Sequence, residues 1–363
     1  MNSSALIPAI STHPGEVLKV ELDSRNIKQK EFAHDIGTSP TILNEILKGK
    51  RNITADIALH LEAQLEIPAD FWMKLQSQYD IDLARIKQRN IEKLHSIEIW
   101  KAIRAAVPVK YLEKLNILTN DLKNDIDRIK EIYNANSLED IIDAKTAYTG
   151  LYRKSSKLQV DVNNLTCWAM VCRWMAQNKK AATYNASNLS AVKQLIIEIV
   201  NKNHNVIDEV TQLLYDYGIK FIILEKPDQT PVDGFSFFSG LNPVIAITLR
   251  KKTIDNFSFT VLHELGHIQD HLRPNSTSFF IDCFDLQESK KDTNEAQADR
   301  YAQQALIPPA VWATFSLSKN IFNDLYIQQF AQEHNLNPAI VLGRYSFETN
   351  NYKVRTTIDR RIN

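Results

Sequence analysis

The chain has 363 residues, with 43 basic and 43 acidic side chains and a formal net charge of zero. That length leaves room for two or three domains with ample cores, and no apolar run reaches the roughly 18 residues that a membrane span needs. A zero balance does not exclude nucleic-acid binding, for which a local basic surface is enough.

The opening MNSSALIPAISTHPGE has neither a basic start nor a long apolar stretch, which argues against a secretory signal. Three cysteines, Cys167, Cys172 and Cys283, make an odd set without a CxxC pair. They are expected to be reduced core thiols, and the protein cytoplasmic with no membrane partner.

The first 80 residues break into short helical pieces. His13, Pro14 and Gly15 introduce a helix through Leu22, and a second runs from Lys28 to Ile36 and stops at Gly37. Ser39 caps a third with Pro40 at its first position, which closes at Gly49; Thr54 caps a fourth. Two short helices joined by a glycine turn, with small Ala33 at their contact, predict a helix-turn-helix. The helix from Ser39 to Lys48 would then enter the major groove, with Leu43 and Ile46 facing inward. Ser39, Thr41, Asn44 and Glu45 would face the bases, while Gln29, Lys48, Lys50 and Arg51 would hold phosphates. From Lys28 to Arg51 five basic residues stand against three acidic ones, a surplus of two, and a plain helical bundle with solvated charges has the same composition.

The segments HPGEVLKVEL, KQKEFAHDIGTSPTILNEILKGKRNIT and ALHLEAQLEIPADFWMKLQSQYD resemble the Xre-type helix-turn-helix of the HigA family of antitoxins. The resemblance implies a five-helix domain that binds operator DNA, usually as a homodimer reading a palindrome.

Residues 81–150 are charged and almost free of glycine, with apolar residues at helical spacing, and predict a helical connecting region. YRKSSK, residues 152–157, is a polar break suited to a linker. Trp168, Val171, Trp174 and Met175 then form a helical stripe expected to pack in a core.

After Gly218 the periodicity changes. IKFIILE, residues 219–225, suits a buried strand, and GFSFF and PVIAITL, separated by SGLN, suit a hairpin; together they predict a small antiparallel sheet. Its edge strand could hold an extended peptide by main-chain hydrogen bonds. A helix entered near Asp255 follows, and it carries His263, Glu264 and His267 as H-E-x-x-H. Residues four apart share a helix face, so both imidazoles can reach one Zn²⁺ ion while Glu264 serves as general base. Phe257, Val261, Leu262, Leu265 and Ile268 give this helix an apolar stripe, and Gly266 is expected to clear space on the metal side.

A catalytic zinc site keeps three protein ligands, so a third is needed. Glu295 is the candidate, in the helix DTNEAQADRYAQQALIPP, where it would complete a His₂Glu set. Asp299, one turn on, is placed to accept the N–H of a ligand imidazole, His263 first. His271, eight residues after His263, has rotated about 80° away from it and is read as an outer contact or a structural residue. His271, Arg273 and Tyr301 are unranked candidates for a second oxyanion donor, and Arg344 is a further candidate neighbour.

DGFSFF, NPVIAITLRKKTIDNFSFTVLHELGHIQDH and EAQADRYAQQALIP resemble the ImmA/IrrE family of metallopeptidases over about residues 145–345. The resemblance implies a gluzincin-like site with His263, His267 and Glu295 on zinc and Glu264 as base. The expected fold is mainly α: a helix-turn-helix domain over 1–80, a connecting region over 81–150 and an α+β zincin-like domain over 151–363, its zinc core at 206–310. The expected function is an antitoxin-type regulator that binds operator DNA and cleaves a partner protein or itself. The alternative is a non-cleaving antitoxin whose zincin-like domain only binds a toxin or senses a ligand.

Overall fold

The computed structural model describes residues 10–144, 161–274, 278–282, 293–315 and 323–363. The linker expected at 152–157 and Cys283 lie outside them. The chain divides into two compact units, Met1–Ile99 and Trp100–Asn363, and the division falls within one long helix.

The first unit is the expected bundle: α1 (Pro14–Ser24), α2 (Gln29–Asp35), α3 (Pro40–Leu47), α4 (Ala55–Leu65) and the start of α5 (Ala69–Ala106). Local chemistry sets the helix ends. The hydroxyls of Ser39 and Thr54 accept from the amides of Ile42 and Ile57, capping α3 and α4. At α1 the cap is His13, whose Nδ1 accepts from the Gly15 amide at 2.9 Å. Leu18, Leu22, Phe32, Ala33, Leu43, Ile46, Leu61 and Trp72 form the core, so the inward face expected of α3 is buried. Gly15 lets α1 and α3 touch: a Cβ there would lie 1.8 Å from the Ile46 carbonyl oxygen.

The second unit holds α6 (Val109–Lys114), α7 (Leu122–Tyr133), α8 (Val162–Asn178), α9 (Leu189–Lys202), α10 (Val206–Asp216), α11 (Ile254–Asp270), α12 (Thr293–Leu306), α13 (Pro309–Trp312), α14 (Asp324–Glu333) and α15 (Pro338–Glu348). Its sheet has strands β1 (Lys220–Ile223), β2 (Gly234–Ser239), β3 (Asn242–Ile247) and β4 (Phe279–Asp282), in the order β1-β3-β2-β4. The expected connecting region is split between the units. Its later helices pack within the second: the Tyr111 hydroxyl donates to the Glu225 carbonyl at 2.6 Å, and Trp174 donates to Glu131 at 2.9 Å.

The hairpin is as expected, with Ser239 opposite Asn242 and Gly240 at a φ of 66° in the two-residue loop. The sheet itself is mixed, whereas the sequence predicts an antiparallel one: β1 pairs with β3 in parallel. The segment after β1 carries Pro227 and Pro231, cannot turn as a tight hairpin, and brings the chain back as β2 on the far side of β3. Phe221, Ile245 and Ile247 pack against Phe257, Val261, Leu262 and Leu265 of α11, which makes α11 the centre of the core. The tail is packing too, since Ile327, Phe330, Ile340 and Leu342 are buried in the same cluster. No described helix is long and apolar enough to cross a membrane.

Candidate functional site

α11 and α12 bring the expected metal ligands together. His263 and His267, one turn apart, place their Nε2 atoms 3.0 Å from each other. Glu295, from the first turn of α12, places Oε2 at 3.2 Å from the first and 3.5 Å from the second. Tetrahedral ligands at zinc bond lengths sit about 3.3 Å apart, so the three atoms are spaced as such a set. The proton count agrees. Asp299 Oδ1 lies 3.1 Å from His263 Nδ1 and must accept its N–H, which leaves a bare lone pair on Nε2 facing the Glu295 carboxylate. Two imidazole nitrogens and a carboxylate oxygen thus converge on one point, the donor set that could hold a cation. Among the described residues this is the one cluster of His, Cys, Asp and Glu with metal-ligand spacing.

The H-E-x-x-H side chains are buried. His263, Glu264 and His267 are each at most 1 % exposed. Burial pushes the Glu264 carboxyl well above the ordinary carboxylate range, only partly offset by the neighbouring His263. Burial would raise Glu295 as well, but the facing imidazoles of His263 and His267 outweigh it and hold the group low. Burial also lowers His267, which favours the neutral imidazole that a metal ligand requires.

Gly266 has a different role from the expected one. A Cβ there would lie 3.2–3.3 Å from Tyr301 and Ala298 of α12, so its missing side chain lets the two helices approach rather than clearing the metal side. Three residues of the site carry no signal in H-E-x-x-H. β2 passes beside Glu264: a Cβ on Gly234 would lie 2.0 Å from its Oε1. Ser236 Oγ is buried beside the Glu264 carboxyl, and its hydrogen bonding offsets part of the effect of burial. Phe280 of β4 stacks on His267, ring centres 4.2 Å apart and planes at 13°. A glycine opening a strand marks close approach of other atoms, and DGFSFF contains that clue.

The other candidates separate. His271 contacts His267 at 3.0 Å and stands outside the cluster of His263, His267 and Glu295. Arg273 donates to the carbonyls of Leu272, Gln269 and Asp270 and closes the end of α11. Tyr301 packs on Gly266 with its hydroxyl buried and, among the described residues, unpartnered. Arg344 pairs with Glu348 at 2.6 Å and lies over the Trp312 ring, a placement away from His263, His267 and Glu295.

In the first unit, Thr41 and Asn44 project from α3 into solvent, and Gln29, Lys48, Lys50 and Arg51 are exposed. Ser39 is exposed, but its hydroxyl is engaged as the cap of α3. Glu45 is half-buried and accepts from Arg51 Nε at 2.8 Å, so these two side chains hold each other.

Residues 18–72 match the helix-turn-helix family profile. Virulence-associated protein I of Dichelobacter nodosus is 36% identical over 86 residues, covering 23% of this chain and 78% of that protein. Virulence-associated protein A′ of the same organism is 37% identical over 70 residues, covering 19% and 61%. Among solved structures, the Pseudomonas aeruginosa antitoxin HigA with the higBA promoter is 34% identical, covering 23% of this chain and 91% of that one, with a TM-score of 0.21. These matches cover less than a quarter of the chain. Through its first domain, the chain belongs to the helix-turn-helix family.

Proposed function

We propose that this protein is an operator-binding regulator of the antitoxin type whose second domain is a zinc-dependent endopeptidase acting on a partner protein or on the chain itself. The observation that carries the enzymatic half is the convergence of two imidazole nitrogens and a carboxylate oxygen within 3.5 Å, beside a buried carboxyl. His263, His267 and Glu295 would hold the ion. Zn²⁺ bound there supplies Lewis-acid activation of water and of a peptide carbonyl.

The chain's own residues do the rest. Glu264, whose raised pKa suits a group that must both take and return a proton, removes the proton from the attacking water and delivers it to the leaving amine. Asp299 holds the His263 ring in one tautomer. Gly234 and Ser236 form the wall against which the Glu264 carboxyl rests.

For the first domain the support is the family match over residues 18–72 and the exposed face carrying Thr41, Asn44, Lys48 and Lys50. The HigA neighbour was solved with its promoter. For this chain the proposed arrangement is a homodimer on a palindromic operator. A second reading has two observations in its favour: His263 and His267 are almost fully buried, and Phe280 lies on His267. In that reading the domain cleaves nothing and holds a toxin or senses a ligand.

Metal analysis of the purified protein, with a proteolysis assay against proteins encoded beside it, separates the two. Glu264→Gln should keep zinc and DNA binding and abolish cleavage. Proteolysis that persists in this variant would sink the mechanism, and stoichiometric zinc without any cleavage supports the second reading.

A further inference from the structure

The two imidazoles of the site are oriented by different partners. Asp299 serves His263. Among the described residues no carboxylate pairs with the Nδ1 of His267; that atom lies 3.0 Å from Nδ1 of His271, whose Nε2 lies 2.9 Å from Oε1 of Gln297. Two ring nitrogens at that distance share one proton, so one donates and the other accepts.

The amide oxygen of Gln297 can only accept, so His271 carries its proton on Nε2 and leaves Nδ1 bare when the ring is neutral. The bare nitrogen accepts from His267 Nδ1, and His267 Nε2 is then the unprotonated atom, turned toward His263 Nε2 and Glu295 Oε2. A single placement of protons satisfies both contacts and ends in a lone pair where the metal site needs one. We propose that His271, held by Gln297, is the positioning residue of His267, fixing its tautomer and ring orientation for metal binding. This rests on the reading of His263, His267 and Glu295 as a metal centre.

Helix geometry explains how the chain builds this relay. His271 follows His267 by four residues, so it shares its face of α11 at the helix end. Gln297 lies between Glu295 and Asp299 on α12, and one short stretch thus supplies a ligand and both outer contacts. Phe280 stacks on His267 and lies 5.4 Å from the His271 ring, which restricts rotation of the pair.

The test measures zinc affinity of the full chain by competition with a chromophoric chelator, and the visible absorption of the cobalt(II)-loaded protein. His271→Leu keeps bulk and removes the acceptor, and should weaken zinc about 10–100-fold and alter the cobalt spectrum. His271→Asn offers Oδ1 near the position of Nδ1 and should bind zinc close to the parent level. Gln297→Ala should weaken zinc by less than His271→Leu. Metal-free unfolding curves of the variants should overlay that of the parent. Parent-like affinity in His271→Leu, or a loss in His271→Asn equal to that in His271→Leu, would overturn the relay. If His271→Leu does not fold, unchanged zinc affinity in Gln297→Ala overturns it instead. A parent protein that binds neither zinc nor cobalt removes the metal reading itself, a result distinct from any difference among variants.

Discussion

Gly234 of β2 and Glu264 of α11 occupy adjoining space so closely that a single added carbon on the glycine would lie 2.0 Å from the carboxylate oxygen. The sheet and α11 are fitted together at the atom proposed to move the proton. Gly234→Ala should therefore push the Glu264 carboxyl out of place while leaving His263, His267 and Glu295 free to bind zinc. A displacement of this size costs on the order of 10²-fold in kcat where proximity governs the step. Peptidase assays and zinc titration on the same preparation check it: parent-like cleavage, or loss of zinc together with cleavage, contradicts the assignment.

Much of this site is legible in the sequence because helix geometry makes spacing equal to placement. His263 and His267, and likewise Glu295 and Asp299, are four residues apart, and each pair falls on one face of its own helix. The helix-turn-helix is legible for a similar reason, since Ser39, Thr54, Gly37 and Gly49 mark helix ends by local chemistry. What depends on the approach of distant segments is not legible. The parallel pairing of β1 with β3, the wall made by Gly234 and Ser236, and Phe280 on His267 all join residues that no periodicity connects. Arg344 shows the same limit: a charge in a sequence does not name its partner, and here the partner is Glu348.

Cys167 and Cys172 are fully buried, and burial pushes the Cys167 thiol up to about 12 and Cys172 in the same direction. The native state holds protons that the unfolded chain releases near 9. The stability this contributes is complete below that value and disappears as pH rises towards about 12. At neutral pH neither residue should react with iodoacetamide until the protein unfolds. Mass mapping of labelled peptides with and without denaturant checks this, and labelling of either cysteine in the native protein would contradict it.

The close contact of α1 with α3 predicts an ordering of two mutations in the first domain. His13→Ala removes the cap on the Gly15 amide and should destabilise the domain by about 1 kcal/mol, the usual cost of a lost N-cap. Gly15→Ala should cost more, because its Cβ meets the Ile46 backbone oxygen and backbone cannot swing aside as a flexible side chain would. Chemical denaturation of the two variants gives the order, and Gly15→Ala as stable as the parent would mean that α1 and α3 are not in the contact described.

The basic residues after α3 should differ in their contribution to DNA affinity. Lys48 and Lys50 are exposed, and neither is in an ion pair among the described residues, whereas Arg51 is held by Glu45 at 2.8 Å. If Lys48 and Lys50 each contact a phosphate, replacing either by alanine should weaken binding evenly across sequences and lower the slope of log affinity against log salt by about 1. Arg51→Ala should change the slope less, because its charge is already partly neutralised by Glu45, while Glu45→Gln should release Arg51 and steepen the slope. Thr41 and Asn44 project from the exposed face of α3, and their replacement should alter the preference among operator sequences without altering the slope. Titration of the full chain against its own promoter DNA at several salt concentrations measures all of these at once. An affinity that does not vary with salt would place the DNA-binding role elsewhere and leave the helix-turn-helix as a surface for another protein.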